Sequence, residues 1–212
     1  MTTHPVVQSS REPIRLFRSD LLEAFTHVRP WLVAALYGPA ALVFLVWAVI
    51  QLPSLTAWPV VAGGLVIGLF LWTLAEYLLH RFVFHFRPHT PRQERIAFLV
   101  HGVHHAQPMV KTRLVMPPAV SLPLALLFYG LFWLAVGLGL GARGWVAPLF
   151  AGFLFGYLAY DMLHYSIHHA RRRGRLLAAL RRHHLLHHTQ VPVSRYGVST
   201  PLWDAIFRTL PT

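Results

Sequence analysis

Residues 57–85 read AWPVVAGGLVIGLFLWTLAEYLLHRFVFH. From Ala57 to Leu79 the only charged side chain is Glu76, so as a helix rising ~1.5 Å per residue the run crosses a hydrocarbon core of roughly 30 Å. It passes without a break into two histidines, His80 and His85. A membrane-length helix that delivers imidazoles at one boundary sets the pattern for the rest of the chain.

Three more runs of this kind flank it. Trp31 to Gln51 and Ala119 to Leu140 are uncharged, and Trp145 to Tyr165 carries only Asp161. With 55% apolar and 12% charged residues in 212, the composition departs from that of a soluble domain. The expectation is an all-α integral membrane protein: four transmembrane helices (31–51, 57–79, 119–140, 145–165) with a cytosolic helical cap carrying a histidine-rich di-metal site. A cytosolic or interfacial segment (1–30) precedes the membrane domain (31–212), whose loop 80–118 and tail 169–212 form the cap.

Charge sets the orientation. Of nineteen Lys and Arg, only Arg143 falls between the third and fourth runs and none falls between the first and second. The positive-inside rule then places both termini and the loop 80–118 in the cytosol. The net charge of +12 suits anionic lipid head groups and calls for no nucleic acid. The opening residues lack the features of a secretory signal, which agrees with a cytosolic N-terminus. Zero cysteines excludes thiolate metal ligands and disulfides. Local patterning predicts an interfacial amphipathic helix over 14–28, a tight turn over Leu52–Thr56, a helix from Arg92 to about His105 and a basic surface helix over Arg171–Arg182.

Twelve of the fifteen histidines lie in four groups: HRFVFH (80–85), HGVHH (101–105), HYSIHH (164–169) and HHLLHH (183–188). Residues three or four apart share a helix face. His101, His104 and His105 satisfy that spacing, as do His164 with His168, and His184 with His187 and His188. His80 and His85, five apart, converge only where the helix ends or kinks. These ten are the first-choice ligands, too many for one ion and a natural set for two with about five each. His169 and His183 fall off the shared faces and are assigned supporting roles. Glu76, Asp161 and Asp204 are the carboxylates near the groups. Glu76 lies four residues before His80 and Asp161 three before His164, where each can accept the second N–H of a ligating imidazole.

These four motifs, in this order and separated by membrane spans, resemble the fatty acid hydroxylase and sterol desaturase superfamily of integral-membrane di-metal oxygenases. HGVHHAQP with RLVMPP, and HHLLHH with RYGVSTPLWD, look most like the fatty acid 2-hydroxylases. The resemblance covers about His80 to Thr209. It implies that His80, His85, His101, His104, His105, His164, His168, His184, His187 and His188 are metal ligands. It also implies two iron ions, with zinc as an alternative occupant, and O2 as co-substrate.

Hydroxylating an unactivated C–H bond takes a redox metal, which zinc is not. A membrane lipid or fatty acyl chain is the expected substrate, hydroxylated at C2, with its head near Tyr196, Ser199 and Thr200. The thirty residues ahead of the first span cannot hold the haem domain that many members carry, so electrons are expected from a separate cytochrome b5-like or ferredoxin-type protein. Arginine outnumbers lysine eighteen to one, which suggests a bacterial inner membrane, with the endoplasmic reticulum as the alternative. The competing readings are a sterol or carotenoid oxygenase of the same superfamily and a metal-binding membrane protein without enzymatic activity.

Overall fold

The structure is a computed structural model that describes residues 12–51, 54, 57–170, 174–189 and 193–211. Residues 1–11, most of the Leu52–Thr56 turn and the Arg171–Arg173 start of the basic stretch lie outside the described residues.

Every regular element among the described residues is helical: α1 (Asp20–Ala24), α2 (Pro30–Gln51), α3 (Trp58–Leu78), α4 (Pro91–Ala97), α5 (Val103–Ala106), α6 (Pro118–Phe132), α7 (Val146–His169), α8 (Arg175–Thr189) and α9 (Leu202–Ile206). Wide π turns continue α3 over Leu79–Phe84, join α4 to α5 over Phe98–Gly102 and continue α6 over Trp133–Gly139. Short 3-10 turns at Lys111–Arg113 and Arg143–Trp145 precede α6 and α7. Helix starts follow sequence chemistry. Pro30 and Pro118 open α2 and α6, where a missing N–H costs nothing. Thr90 caps α4 by accepting from the Gln93 N–H, with Pro91 as the first helical residue.

Four stretches are long and apolar enough to cross a membrane: Pro30–Gln51, Trp58–Phe84, Lys111–Gly139 and Arg143–His169. They coincide with the four apolar runs. Protein buries 72% of the apolar window of Arg143–His169 but only 6% of that of Lys111–Gly139, so α7 is the interior helix and α6 turns most of its surface outward. Leu126, Leu127 and Leu134 on the third stretch, like Leu42, Val43 and Val46 on α2, are exposed. Such continuous apolar surface suits lipid.

The chain divides into two compact units. One consists of Pro30–Thr73 and Met116–Tyr160. Within it α3 and α7 approach so closely that a Cβ on Gly68 would lie 2.0 Å from the Leu149 carbonyl oxygen, and one on Gly152 2.2 Å from that of Leu65. Gly64 with Gly68 and Gly152 with Gly156 are small-residue pairs at four-residue spacing, the sequence device that lets membrane helices touch through their backbones. Around this contact Trp72 packs edge-on against Phe153 at 5.1 Å, and Phe44 against Phe150 at 4.8 Å. The Tyr37 hydroxyl donates to Ser121 Oγ at 2.7 Å.

The other unit consists of Met1–Arg29, Leu74–Val115 and Asp161–Thr212. It contains all four histidine groups. The N-terminal segment departs from expectation: in place of a helix over 14–28, only Asp20–Ala24 is helical. The reason is local competition for backbone donors. Glu23 accepts the N–H groups of Leu16 and Phe17, both at 2.8 Å, and Gln107 Oε1 accepts that of Ile14 at 3.0 Å. Glu23 also meets the buried guanidinium of Arg113, and the Val28 N–H donates to the Thr112 carbonyl at 2.7 Å. Leu21 and Leu22 on α1, and Phe25 just after it, remain exposed.

Candidate metal centre

On an α-helix, residues five apart diverge by roughly 140°. His80 and His85 nevertheless face one point, because the chain between them is a π turn closed by the His85 N–H on the His80 carbonyl at 3.1 Å. A second π turn, Phe98–Gly102, carries His101 into the short helix α5, which holds His104 and His105. The two single wide turns thus reset the phase of the helices where the imidazoles must meet.

The ten histidines gather into two groups of five. His80, His85, His101, His105 and His187 form the first, and His104, His164, His168, His184 and His188 the second. In each group the candidate ligand atoms lie within 4.8 Å of one another. HRFVFH supplies only the first group and HYSIHH only the second. HGVHH and HHLLHH each divide between the two, a partition that spacing alone did not reveal.

The nitrogen spacings are informative. Nε2 of His80 is 3.0 Å from that of His101, and the same distance separates His85 from His187, His164 from His104 and His188 from His184. His184 Nε2 also lies 3.0 Å from that of His164 and 3.1 Å from that of His168. Two nitrogens bound at ~2.1 Å and at right angles to one ion would be ~3.0 Å apart, against ~3.4 Å in a tetrahedron. The donor set therefore fits a metal with more than four ligands. His105 Nε2, buried and without a hydrogen-bond partner, fits the same use.

Burial, followed by the neighbouring imidazoles, holds His101, His104, His105, His184 and His188 well below the ordinary imidazole pKa. Burial takes His187 down to about 4 against the opposing pull of the Ser194 carbonyl. At neutral pH these rings are uncharged, as metal ligation requires.

One carboxylate does different work from that expected. Glu76, predicted to hold His80, instead accepts the N–H groups of Val198 at 2.6 Å and Ser199 at 2.8 Å, together with the Ser199 hydroxyl. His80 Nδ1 donates to the Tyr196 carbonyl at 2.5 Å, and His187 Nδ1 to the Ser194 carbonyl at 2.6 Å. A side-chain reading misses these two anchors because they are main-chain atoms. Asp204 accepts the N–H groups of Tyr196 and Gly197, each at 2.8 Å, the Thr209 hydroxyl at 2.7 Å and His183 Nε2 at 3.1 Å. Burial raises the Asp204 pKa, but these donors outweigh it and leave the group below its ordinary value. His183 thus supports the Asp204 network and belongs to neither group, and His169 also lies outside both.

Asp161 is buried on α7, three residues before His164. Tyr196 is buried against Tyr77 and Trp203, Ser199 spends its hydroxyl on Glu76, and Thr200 Oγ1 accepts from the Leu202 N–H at 3.2 Å. These three residues, expected at a lipid head, act here within the segment that precedes α9. A Cβ on Gly197 would lie 2.1 Å from the Thr200 carbonyl oxygen, so the Tyr-Gly pair was a readable sign of this tight fold.

The family model for fatty acid hydroxylase matches residues 65–209. A dihydroceramide fatty acyl 2-hydroxylase of Arabidopsis thaliana is 33% identical over 205 residues, covering 96% of this chain and 83% of that protein. The fatty acid 2-hydroxylase of Homo sapiens is 38% identical over 225 residues, covering 97% of this chain but only 59% of the human protein. Among solved structures, full-length scs7p, with only its hydroxylase domain visible, superposes with a TM-score of 0.81 at 34% identity, covering 91% of this chain and 70% of that one. With both histidine groups inside the matched region, this chain belongs to the fatty acid hydroxylase family.

Proposed function

We propose that this chain is an O2-dependent di-iron membrane hydroxylase acting at C2 of a lipid acyl chain. The observation that carries the reading is the pair of five-imidazole groups. Ten converging imidazole nitrogens are a donor set for two ions, with His80, His85, His101, His105 and His187 holding one and His104, His164, His168, His184 and His188 the other. Bound there, a redox metal supplies the O2 activation that no side chain provides for an unactivated C–H bond. The balanced reaction takes the C–H compound, O2, two electrons and two protons to the alcohol and water, and a separate donor protein brings the electrons. Iron is favoured over zinc because the reaction needs a change of oxidation state.

The chain's own residues set where the reaction occurs. The ligands on the second and fourth spans lie at the C-terminal ends of Trp58–Phe84 and Arg143–His169, so the ions sit near one membrane boundary. A lipid offers its head-proximal carbons at that depth, which favours C2 over mid-chain positions. The names of the Arabidopsis and human relatives point to the same carbon. The charge asymmetry favours a cytosolic side for both termini and the loop 80–118, and we take residues 31–212 as the hydroxylase domain.

The test is expression in a host without 2-hydroxy acyl lipids, followed by mass spectrometry of its fatty acids, beside a His187→Ala variant. New 2-hydroxy acyl groups with the parent and none with the variant are expected. An unchanged profile in a host that makes the folded, iron-loaded protein overturns the assignment.

A further inference from the structure

At five of the ten imidazoles the far nitrogen, Nδ1, is treated differently in the two groups. In the first, His80 and His187 donate Nδ1–H to the carbonyls of Tyr196 and Ser194. Both carbonyls belong to one short segment between α8 and α9. In the second, Nδ1 of His104, His184 and His188 is buried and donates to no protein atom. A ring fixed through its far nitrogen is oriented before the metal arrives, whereas a ring without that bond must be ordered by the metal itself.

The segment is itself held by two carboxylates, both buried, with Glu76 3% and Asp204 0% exposed. Between them they accept four consecutive backbone N–H groups, those of Tyr196, Gly197, Val198 and Ser199. Glu76 comes from α3, four residues before His80, so one helix supplies both a candidate ligand and the group that pins that ligand's anchor. Neither carboxylate reaches a candidate ligand directly; both act through the backbone between them.

Resting on the reading of the two groups as metal sites, we infer that Glu76 and the 194–204 segment form a clip that serves the first group alone. The two positions then differ in retention. The ion among His80, His85, His101, His105 and His187 leaves slowly, and the ion among His104, His164, His168, His184 and His188 leaves first. Glu76 is a positioning residue for one ion out of two.

The test uses zinc as the probe. The purified full chain in detergent is loaded with zinc, challenged with excess chelator, and followed by metal analysis over time. Two release phases of about one equivalent each are expected, with rates at least about tenfold apart. Glu76→Gln should speed only the slow phase, by about 10- to 100-fold as for other residues that orient a ligand. Ser199→Ala should do the same to a smaller extent, and it decides the matter if Glu76→Gln fails to fold. His188→Ala should abolish the fast phase and keep the slow one. A single phase of two equivalents, equal acceleration of both phases, or loss of the slow phase in His188→Ala overturns the inference. Failure of the folded parent chain to bind zinc overturns the metal-site reading itself, a separate result.

Discussion

The ring of His105 stacks on that of His188 with centroids 4.1 Å apart and 20° between planes. His105 belongs to the first group and His188 to the second, so this pair forms part of the wall between two candidate metal positions.

That shared wall predicts non-additive kinetics. His105→Ala and His188→Ala should each lower 2-hydroxy acyl formation by on the order of 100-fold, and the double variant should be no worse than the poorer single one, because two sites that act as a unit fail as a unit. Product quantification by mass spectrometry checks it. Multiplying effects in the double variant would mean that the two groups work independently.

The metal-free protein should lose stability as pH falls below about 6.5. Unfolded imidazoles bind protons near that pH, whereas His101, His104, His105, His184 and His188 in the fold resist protonation and His187 does so down to about 4. The unfolded chain then carries more bound protons, so its population rises as the solution becomes more acidic, and the full stability is present only above about pH 6.5. Thermal melts of stripped protein at pH 8, 6.5 and 5 measure this. A constant Tm across the series contradicts it.

Glycine replacements should divide cleanly. Gly68→Ala and Gly152→Ala each place a methyl group about 2 Å from a backbone oxygen of the facing helix and should destabilise by about 1–3 kcal/mol, the usual cost of overpacking. Gly130→Ala on α6 meets no atom within 4 Å and should be neutral or stabilising by up to about 1 kcal/mol, since alanine is the better helix former. Thermal stability in one detergent compares the three, and a Gly130→Ala loss as large as the others would count against the packing argument.

Exchange of the metal should separate occupancy from turnover. Zinc-loaded protein is expected to keep its fold and thermal stability while forming no hydroxylated lipid, and reloading with ferrous iron should restore product. Comparable turnover with zinc and iron in metal-analysed samples would remove the redox requirement.

Glu23→Gln should loosen the N-terminal segment. It removes the charge facing the buried Arg113 and weakens the acceptor for Leu16 and Phe17, a loss of about 1–3 kcal/mol for hydrogen bonds to a charged group. Hydrogen exchange over residues 14–28 should accelerate without a matching change at α8.

The four spans and the ten candidate ligands were legible because hydropathy and histidine spacing are carried by residue type. Their division into two groups was not. Helical spacing put His101, His104 and His105 on one face, but His104 joins the opposite group from its neighbours, and a π turn that resets helix phase leaves no mark in composition. The carbonyls of Ser194 and Tyr196 were invisible for a simpler reason: every residue has one. Glu76 was legible as important, but its partners lie 122 and 123 residues away in Val198 and Ser199, beyond any local pattern. Gly64 and Gly68, with Gly152 and Gly156, could have announced the α3–α7 contact. The overlong prediction for α1 came from an apolar periodicity that Glu23 and Gln107 interrupt by capturing backbone donors.

The π turn at Leu79–Phe84 gives the candidate centre a mechanical property. Helical backbone ordinarily prefers the tighter α winding, and in that winding His85 would swing to roughly 140° from His80. An ion gripped by both rings would oppose that rewinding. Rewinding this turn would take one of the two rings out of the first group, so the convergence of five imidazoles depends on the winding of six residues at the end of one membrane span.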